Sequence, residues 1–321
     1  MCVRLTLSAQ HMIIVTGTIA YDYIMDFPGK FGDHVLPDQV HNINLSFIVS
    51  NFAKRRGGTA GNVSYALGLL FTPHILFSIA GKDFGEYKKH FQEMGISVDD
   101  VVIDKNEYTA TGFAMTDKLD NQIWGYYYGA TDNIDKMKIA SVAKKEDIVV
   151  VGPSSAKGSM AFVRQCIDLG VSYLFDPGFI LTQVSAEDLR LGILHAAYVV
   201  GNDYELNVIK DRVKDFDTII ADKVIVTTLG KKGAEISDKG KKMTIAPAKP
   251  AKVIDPTGAG DAWRAGFLAG LSRGFTIDAC GQMGSVASSF AVEVYGTQEY
   301  VFSKKDFLER YRQTYKSLLE L

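Results

Sequence analysis

The sequence predicts an α/β fold in which helices flank a doubly wound, mostly parallel sheet, with a small antiparallel β-sheet attached. Two observations predict this fold class. Short runs rich in valine and isoleucine alternate with helical patterns, and two other segments, at 26–56 and 108–130, alternate polar with apolar residues. Alternating strands and helices indicate a parallel sheet, because each helix returns the chain to the end of the sheet at which the previous strand began. Such crossovers are right-handed.

The strands of the parallel sheet are predicted where short apolar runs lack polar alternation, which is typical of strands buried on both faces. These runs are residues 13–16, 75–79, 148–151, 173–175, 198–200 and 224–227. Helices are predicted between them at 62–70, 84–94, 159–169, 186–195 and 204–210. A further, amphipathic helix is predicted at 304–321.

The two alternating segments indicate half-exposed antiparallel strands. In the second segment, residues 110–115 and 123–128 flank a turn-rich stretch at 116–122. We expect both segments to form one small sheet inserted into a single α/β domain at 12–321; the alternative is an edge extension of the main sheet. Residues 1–11 precede the first predicted strand and are expected to be a disordered tail.

Composition and charge argue against several classes of function. The chain has 321 residues, and 35 Lys and Arg against 37 Asp and Glu give no electrostatic basis for binding nucleic acid. No window approaches the roughly 18 uninterrupted apolar residues of a membrane span, so no membrane partner is expected. The 3 separated cysteines predict no disulfide framework and favour a cytoplasmic protein. The 6 histidines lack the spacing of metal ligands and predict no zinc site.

Residues 255–261 read Asp-Pro-Thr-Gly-Ala-Gly-Asp and lead into a predicted helix rich in small residues. The N–H groups of Gly258, Ala259 and Gly260 would lie at the N-terminus of that helix, where unpaired donors and the helix dipole favour an anion. Asp261 is placed beside this anion hole and is the candidate catalytic base for a hydroxyl substrate. The alternative is that Asp261 only caps the helix.

Two common nucleotide-binding motifs are absent from the sequence. It contains no G-x-x-x-x-G-K-[ST], and the turn after the first predicted strand lacks G-x-G-x-x-G. A Walker-type ATPase and a Rossmann dehydrogenase are therefore disfavoured.

A second glycine motif makes the functional prediction more specific. Residues 56–62 read Arg-Gly-Gly-Thr-Ala-Gly-Asn. Together with 255–261, this motif resembles the paired signatures of the ribokinase-like (PfkB) family of carbohydrate and nucleoside kinases. Within that family, residues 15–22, 27–31, 45–47, 202–205 and 296–299 look most like bacterial adenosine kinases. The resemblance covers nearly the whole chain and implies that the small sheet is a lid that closes over the substrate.

The resemblance assigns the substrate side of the site to residues from both halves of the chain. Asp22 would accept hydrogen bonds from two sugar hydroxyls, and Gly57, Gly58 and Asn62 would complete the sugar site. Without the motif at 255–261, Asp22 could equally be a turn residue and Asn62 a helix cap. The full set of implied substrate contacts is Thr18, Asp22, Gly57, Gly58, Asn62, Tyr126, Phe179 and Asp261.

On the nucleotide side, the resemblance implies ATP and Mg²⁺ as cofactors. Asn202 and Glu205 match an N-x-x-E motif in which Glu205 would hold Mg²⁺, partly through water; the alternative is that Asn202 caps a helix. Asp255 and Thr257 match positions that help to bind a monovalent cation, such as K⁺, with carbonyl groups from 294–296. The implied ATP contacts are Asn202, Thr228, Gly230, Gly233, Gly258 and Gly260.

These assignments predict an ATP-dependent kinase that phosphorylates the primary, 5′-type hydroxyl of an adenosine-like nucleoside by direct in-line transfer. The alternatives are a sugar kinase of the ribose or fructose type and a catalytically silent ligand-binding protein on the same fold. The chain departs from bacterial adenosine kinases at Gly112, where they place an aromatic residue, and at Phe179 and Ile180, where they place glutamine. These departures predict an altered or relaxed base preference.

The lid is also expected to form a homodimer. Phe47, Ile48, Ile123 and Trp124 would give it one exposed apolar face, and pairing with a second copy would cover that face. Lid-to-lid dimers are common in the resembled family.

Overall fold

The strands of the central sheet lie at or near the positions of the short apolar runs. The computed structural model of the protein describes residues 11–34, 45–119, 121–319 and 321. The strands in these ranges are β1 (Ile13–Thr16), β2 (Ala20–Asp26), β3 (Asn51–Gly57), β4 (His74–Leu76), β5 (Ser78–Gly81), β6 (Val101–Asp104), β7 (Ala110–Thr116), β8 (Gln122–Tyr127), β9 (Ile148–Val151), β10 (Ser172–Phe175), β11 (Tyr198–Asn202), β12 (Val224–Thr228), β13 (Ala234–Asp238) and β14 (Lys241–Ile245). The helices are α1 (Thr59–Leu69), α2 (Gly85–Glu93), α3 (Ala156–Leu169), α4 (Ala186–His195), α5 (Asp203–Arg212), α6 (Phe216–Ile219), α7 (Ala259–Ser272), α8 (Ile277–Ala291) and α9 (Lys304–Tyr315).

The main sheet has the strand order β14-β13-β12-β11-β10-β9-β1-β4. Six of its strands, β4, β1, β9, β10, β11 and β12, run parallel, and β13 and β14 add an antiparallel edge. Helices α1, α2, α7, α8 and α9 pack against one face, and α3, α4, α5 and α6 pack against the other. The predicted doubly wound, mostly parallel fold is confirmed.

Successive residues of β1 belong to different hydrophobic cores. Ile13 and Val15 pack in the core that contains α1, α7 and α8, whereas Ile14 packs in the core that contains α3 and α4. All three side chains are fully buried. Because both faces of the strand are covered, every position favours an apolar residue, and the sequence shows no polar alternation.

The predicted strand at 75–79 is wrong, because this segment is divided between two sheets. β4 ends at Leu76 and pairs with β1, whereas β5 begins at Ser78 and pairs with β6 in a separate two-stranded sheet. Ser78 donates its hydroxyl to the carbonyl oxygen of Gly17 at 2.6 Å, beyond the end of β1. A continuous apolar run does not encode which sheet each of its residues joins.

The C-terminal helix is shorter than predicted. α9 spans Lys304–Tyr315, and Lys316 follows it in a left-handed conformation with a φ of 55°. A left-handed residue ends a helix because it turns the backbone away from the right-handed path. None of the helices in the described ranges is both long enough and apolar enough to cross a membrane.

The small sheet, called the lid here after its predicted role, is separate from the main sheet and has the strand order β3-β2-β7-β8, so it is no edge extension. β2 runs antiparallel to β3 and parallel to β7, and β7 runs antiparallel to β8. β2 begins at Ala20, directly after the first turn, so the lid starts before residue 26 and includes Asp22. Residues 35–44 of the predicted lid segment and residues 1–10 of the predicted tail lie outside the described residues.

The predicted apolar face of the lid is wrong in composition. Ile123 and Trp124 are consecutive residues of β8, and successive side chains of a strand point to opposite faces. Phe47 packs against Phe27, with ring centroids 4.7 Å apart. These four apolar residues therefore do not form one exposed surface.

Register assigns the lid residues to two faces. The inner face, defined here as the face of Asp22, also carries Gly112, Trp124 and Tyr126. The outer face carries Tyr23, Phe52, Phe113 and Ile123. On the outer face the Tyr23 ring stacks on Phe52 and Phe113, with centroid distances of 5.7 and 5.4 Å.

Candidate active site

The anion loop at 255–261 leads directly into α7. Gly258 occupies the N-cap position with a φ of 77°, a left-handed conformation that residues with a Cβ atom rarely adopt. The helix begins at Ala259, and the first N–H groups of a helix have no acceptor within it. Small residues here leave the helix N-terminus open to an anion.

Asp261 lies in the first turn of α7, while the capping position is held by Gly258. Its Oδ2 atom accepts a hydrogen bond from Asn62 Nδ2 at 2.7 Å, and its Oδ1 atom lies 3.9 Å from Arg264 Nη1. Burial raises the pKa of Asp261, while Arg264 and the hydrogen bond from Asn62 oppose that rise. A raised pKa makes a carboxylate a better proton acceptor, as a general base requires.

Asn62 links Asp261 to the base of the lid. Its Oδ1 atom accepts hydrogen bonds from Thr297 Oγ1 at 2.8 Å and from Gln298 Nε2 at 2.9 Å. Thr297 Oγ1 also lies 2.9 Å from the carbonyl oxygen of Arg56, near the end of β3. One buried carboxamide therefore connects the candidate base, the 296–299 loop and the lid.

Asp22 occupies a gap between two glycines. It pairs in register with Gly112 on β7, and a Cβ atom at Gly112 would lie 2.7 Å from Asp22 Oδ1. A Cβ atom at Gly57 would overlap Asp22 Oδ2. Burial raises the pKa of Asp22 to about 6. A carboxylate in this setting is suited to accept hydrogen bonds from the hydroxyls of a bound sugar.

Three aromatic side chains lie near Asp22 at the inner face of the lid. The rings of Tyr126 and Phe179 are 5.7 Å apart between centroids. Although 43% of Tyr126 is exposed, burial around its hydroxyl raises its pKa, the Thr18 side chain opposes that rise, and the charge of Asp22 adds to it. Trp124 fills the space beside Gly112, because a Cβ atom there would lie 3.1 Å from its ring. The predicted substrate residues Thr18, Asp22, Tyr126 and Phe179 are thus brought together.

Phe113, the neighbour of Gly112, does not supply an aromatic ring at the inner face of the lid. It pairs in register with Tyr23 and Gly125 and stacks on Tyr23 at the outer face. The one-residue slip that would turn Phe113 inward does not occur, because Asp22, Gly112 and Tyr126 are aligned across three strands.

A cavity of about 510 Å³ lies beside the anion loop. Its lining includes the predicted nucleotide residues Thr228, Gly230, Gly233 and Gly260, together with Ala259. Sequence reasoning missed the other residues that line the cavity. They are Lys231, Pro247, Ala248, Lys249, Pro250, Val253, Pro256, Trp263, Ser285, Ser288, Ser289 and Val292. Apart from Pro256, no motif marks these residues, and a mostly apolar pocket of this kind suits a flat nucleobase.

Asn202 and Glu205 form a capping box at the start of α5, so Asn202 does cap a helix. Asn202 Oδ1 accepts the N–H of Glu205, and Glu205 Oε2 accepts the N–H of Asn202, both at 2.8 Å. Asn202 also pairs in register with Thr228, beside the cavity. The box uses one oxygen of Glu205 and leaves Oε1 outside it. Since Mg²⁺ keeps several waters, one such carboxylate fits a water-mediated site.

Asp255 ties the anion loop to a second loop. Its Oδ1 atom accepts the N–H of Thr257 at 2.9 Å, and its Oδ2 atom accepts the N–H of Gly296 at 3.0 Å. The residues predicted to surround a monovalent cation are thereby brought together. Within the described ranges, no group of three or more His, Cys, Asp or Glu is arranged to hold a metal ion.

Arg264 and Asp176 form a buried ion pair that sequence reasoning missed. Arg264 Nε lies 2.5 Å from Asp176 Oδ2, and Arg264 Nη2 donates to Asp176 Oδ1 at 3.0 Å. The two residues are 88 positions apart, and no motif links them. The available signal was the place of Asp176 directly after a buried strand, since ligands of α/β sheets bind at the carboxyl ends of strands.

Comparison with known proteins identifies the family that carries this site. A family model described as pfkB family carbohydrate kinase matches residues 13–304. The chain belongs to the pfkB family. It is 30% identical over 315 residues to a nucleoside kinase of Methanothermobacter thermautotrophicus, an alignment that covers 95% of this chain and 97% of that protein. A nucleoside kinase of Methanocaldococcus jannaschii is 30% identical over 277 residues, with coverages of 83% and 90%.

Solved structures show the same relationship to this pfkB kinase. Burkholderia thailandensis nucleoside kinase in complex with inosine matches with a TM-score of 0.86 and 29% identity, over 96% of this chain and 100% of that one. Its complex with ADP-inosine matches with a TM-score of 0.83 and 32% identity, over 96% and 97%. The fold is ribokinase-like, and this pfkB chain is an ATP-dependent phosphotransferase.

Proposed function

We propose that this kinase phosphorylates the primary, 5′-type hydroxyl of a nucleoside, adenosine-like in its ribose contacts, with Asp261 as the catalytic base. The observation that carries the proposal is the hydrogen bond of 2.7 Å from Asn62 to Asp261, because it joins the candidate base to the glycine segment beside Asp22. The nucleoside kinases among its relatives, and the inosine complex of a similar kinase, support a nucleoside as the acceptor.

The reaction is a direct in-line transfer without a covalent enzyme intermediate. Asp22 binds the ribose hydroxyls and orients the nucleoside. Asp261 accepts the proton of the 5′-hydroxyl while the 5′-oxygen of the nucleoside bonds to the γ-phosphorus of ATP. The bond between that phosphorus and the oxygen of the leaving ADP breaks. The N–H groups of Gly258 and Gly260 stabilise the charge of the transferring phosphoryl group. The N–H of Ala259 donates to the carbonyl oxygen of Pro256 at 3.2 Å and holds the loop in shape. Closure of the lid excludes water as a competing acceptor.

The nucleotide binds in the cavity beside the anion loop, near Asn202 and with Thr228, Gly230 and Gly233 along its wall. Glu205 would hold Mg²⁺ through water, and the ion would supply positive charge near the phosphates when bound. A monovalent cation such as K⁺ beside Asp255 and Thr257 belongs to the same proposal. Exchange of KCl for tetramethylammonium chloride at constant ionic strength is then expected to lower kcat/KM.

The base preference of this kinase is relaxed. Tyr126 and Phe179 form an aromatic pair near Asp22, and Trp124 lies beside Gly112. Aromatic faces stack on every base, whereas strict discrimination needs directed hydrogen bonds to the edge of the base. We therefore expect purine and pyrimidine nucleosides to be accepted with modest differences.

ADP formation from ATP and Mg²⁺ with adenosine, guanosine, inosine, cytidine, ribose and fructose tests these assignments together. All four nucleosides should turn over, with kcat/KM values within about a thousandfold of one another. Turnover of the free sugars alone would indicate a sugar kinase, and no ADP with any compound would indicate a catalytically silent binding protein. A preference for adenosine above about a thousandfold, or about 4 kcal/mol, would contradict the relaxed base preference.

A further inference from the structure

The buried pair of Arg264 and Asp176 lies next to the candidate base. Asp176 follows β10 and its side chain is 1% exposed, whereas the Arg264 side chain is 11% exposed. Burial raises the pKa of Asp176 to about 6, although Arg264 opposes the rise. Two charged groups held this far from water cost folding free energy unless they are paired. Since the pair lies beside Asp261, its charges act on the candidate base.

Arg264 is shared unequally between two carboxylates. It contacts Asp176 at two points, at 2.5 and 3.0 Å, and lies 3.9 Å from Asp261 Oδ1. The other oxygen of Asp261, Oδ2, accepts the hydrogen bond from Asn62. Arg264 therefore faces Oδ1, the oxygen of Asp261 that Asn62 does not contact, at a greater distance than its contacts with Asp176.

The distance between Arg264 and Asp261 matters for basicity. A direct two-point pair with arginine would occupy Oδ1 and lower the pKa of Asp261, which would weaken it as a proton acceptor. Without any arginine, two buried carboxylates would face each other with no opposite charge, and their pKa values would rise. At the observed distance the positive charge still acts on Asp261, but the hydrogen bond of Arg264 Nη2 and the close contact of its Nε atom both go to Asp176.

We propose that Asp176 and Arg264 are a positioning pair for Asp261, in which Asp176 draws the guanidinium away from the oxygen that receives the substrate's proton. This inference rests on the proposed function, since it assigns a task to Asp261. Neither member of the pair needs to touch the nucleoside or ATP. The pair acts through the placement of one positive charge.

Other groups also face Asp261 and must be considered in any titration. Glu205 on α5 raises the pKa of Asp261 through its charge. Tyr300 is fully buried, and its pKa is raised by burial and also by the charges of Tyr65 and Asp261, so it is a neutral phenol at physiological pH. Asn62 donates a hydrogen bond but does not titrate. Variants at Asp176 and Arg264 leave these three groups in place.

The Asp176→Asn variant tests the positioning role. It frees Arg264 to close on Asp261, so kcat should fall about tenfold to a hundredfold, while KM for inosine and for ATP stays within about threefold. Titration of the wild type and the variant, labelled with carbon-13 at the aspartate carboxyls and assigned with Asp261→Asn, should show a lower pKa for Asp261 in the variant. Arg264→Met should instead raise the pKa of Asp261.

The matched control is Asp215→Asn, which makes the same change in a two-point pair with Arg190 between α4 and the start of α6. It should leave kcat and the pKa of Asp261 unchanged. If Asp176→Asn lowers thermal stability but leaves kcat and the pKa of Asp261 at wild-type values, the pair is structural and the inference is overturned.

A variant that does not fold and a wild type that phosphorylates no nucleoside each need a separate measurement. If Asp176→Asn does not fold, Arg264→Lys replaces it, because lysine keeps the charge but cannot contact two carboxylates in the fork geometry of arginine. An unchanged kcat and an unchanged pKa of Asp261 in that variant overturn the inference. If the wild type phosphorylates no nucleoside, the proposed function fails, whereas the carbon-13 titration still tests the pair without turnover.

Discussion

Asp261 is expected to act as a proton acceptor more than as a binding residue. Asp261→Asn should lower kcat by about 10²- to 10⁴-fold, the range for loss of a general base, while the KM values of ATP and nucleoside stay within about tenfold. The reason is that asparagine keeps the shape of the side chain and its hydrogen bond to Asn62 but is not basic. Steady-state ADP formation measures both constants, with Asp215→Asn as the control. Near-normal turnover would remove Asp261 from the mechanism.

Asp22 should make substrate binding depend on pH. Its carboxyl group, with a pKa raised by burial to about 6, loses its negative charge as the pH falls through that value. Since the ionised form accepts hydrogen bonds from the sugar hydroxyls, the KM for nucleoside should rise as the pH falls through about 6. Asp22→Asn should raise the nucleoside KM about tenfold to a hundredfold and remove this dependence of KM on pH. A variant that keeps the same pH profile of KM would show that another group titrates.

At the level of single residues, the sequence predicted side chains that belong to motifs and missed those that do not. Asp22, Asn62 and Asp261 were named because two motifs resemble the signatures of one family. Arg264 belongs to neither motif, and its partner Asp176 is marked only by its position directly after a buried strand, so their pairing could not be predicted without the fold. The Asn202 and Glu205 motif shows a further limit, since a capping box and a metal-binding motif use the same residues at the same spacing.

The close approach of β3 to β2 should make Gly57 intolerant of substitution. In Gly57→Ala, the new Cβ atom would overlap Asp22 Oδ2 and displace the carboxylate. We expect the KM for nucleoside to rise at least about tenfold, because charge-assisted hydrogen bonds to the sugar depend on the position of Asp22. Gly85→Ala is the control, since nothing lies within 4 Å of a Cβ atom at the start of α2. Equal KM values in the two variants would contradict this account.

Among the strands and helices, the strongest predictions came from runs whose environment is uniform. β1 and β9 match the predicted ranges residue for residue because both faces of each strand are buried. The run at 75–79 is divided at Phe77, since hydrophobicity does not distinguish one sheet from another. In the lid, the alternation predicted strands, and consecutive residues such as Ile123 and Trp124 lie on opposite faces of any strand. Only the register among β2, β7 and β8 shows that Trp124 is the one that shares the face of Asp22.

At the scale of the whole molecule, the outer face of the lid is the surface through which we expect two copies to associate. Phe52, Phe113 and Ile123 are each about half exposed there, and a second copy would cover them. Sedimentation at micromolar concentration should give a dimer, and Phe113→Lys should shift it to the monomer. Phe71→Lys, at an exposed phenylalanine after α1, should leave the dimer intact. A wild type that sediments as a monomer would contradict the dimer but not the lid.

The two edges of the main sheet limit how further chains can attach to it. At one edge β4 has only three residues, and at the other β14 begins with Lys241 and Lys242. A short edge offers few free N–H and C=O groups to an incoming strand, and lysines on an edge must be desolvated before another strand can pair there. The sheet that supports the active site is therefore a poor template for the addition of further strands.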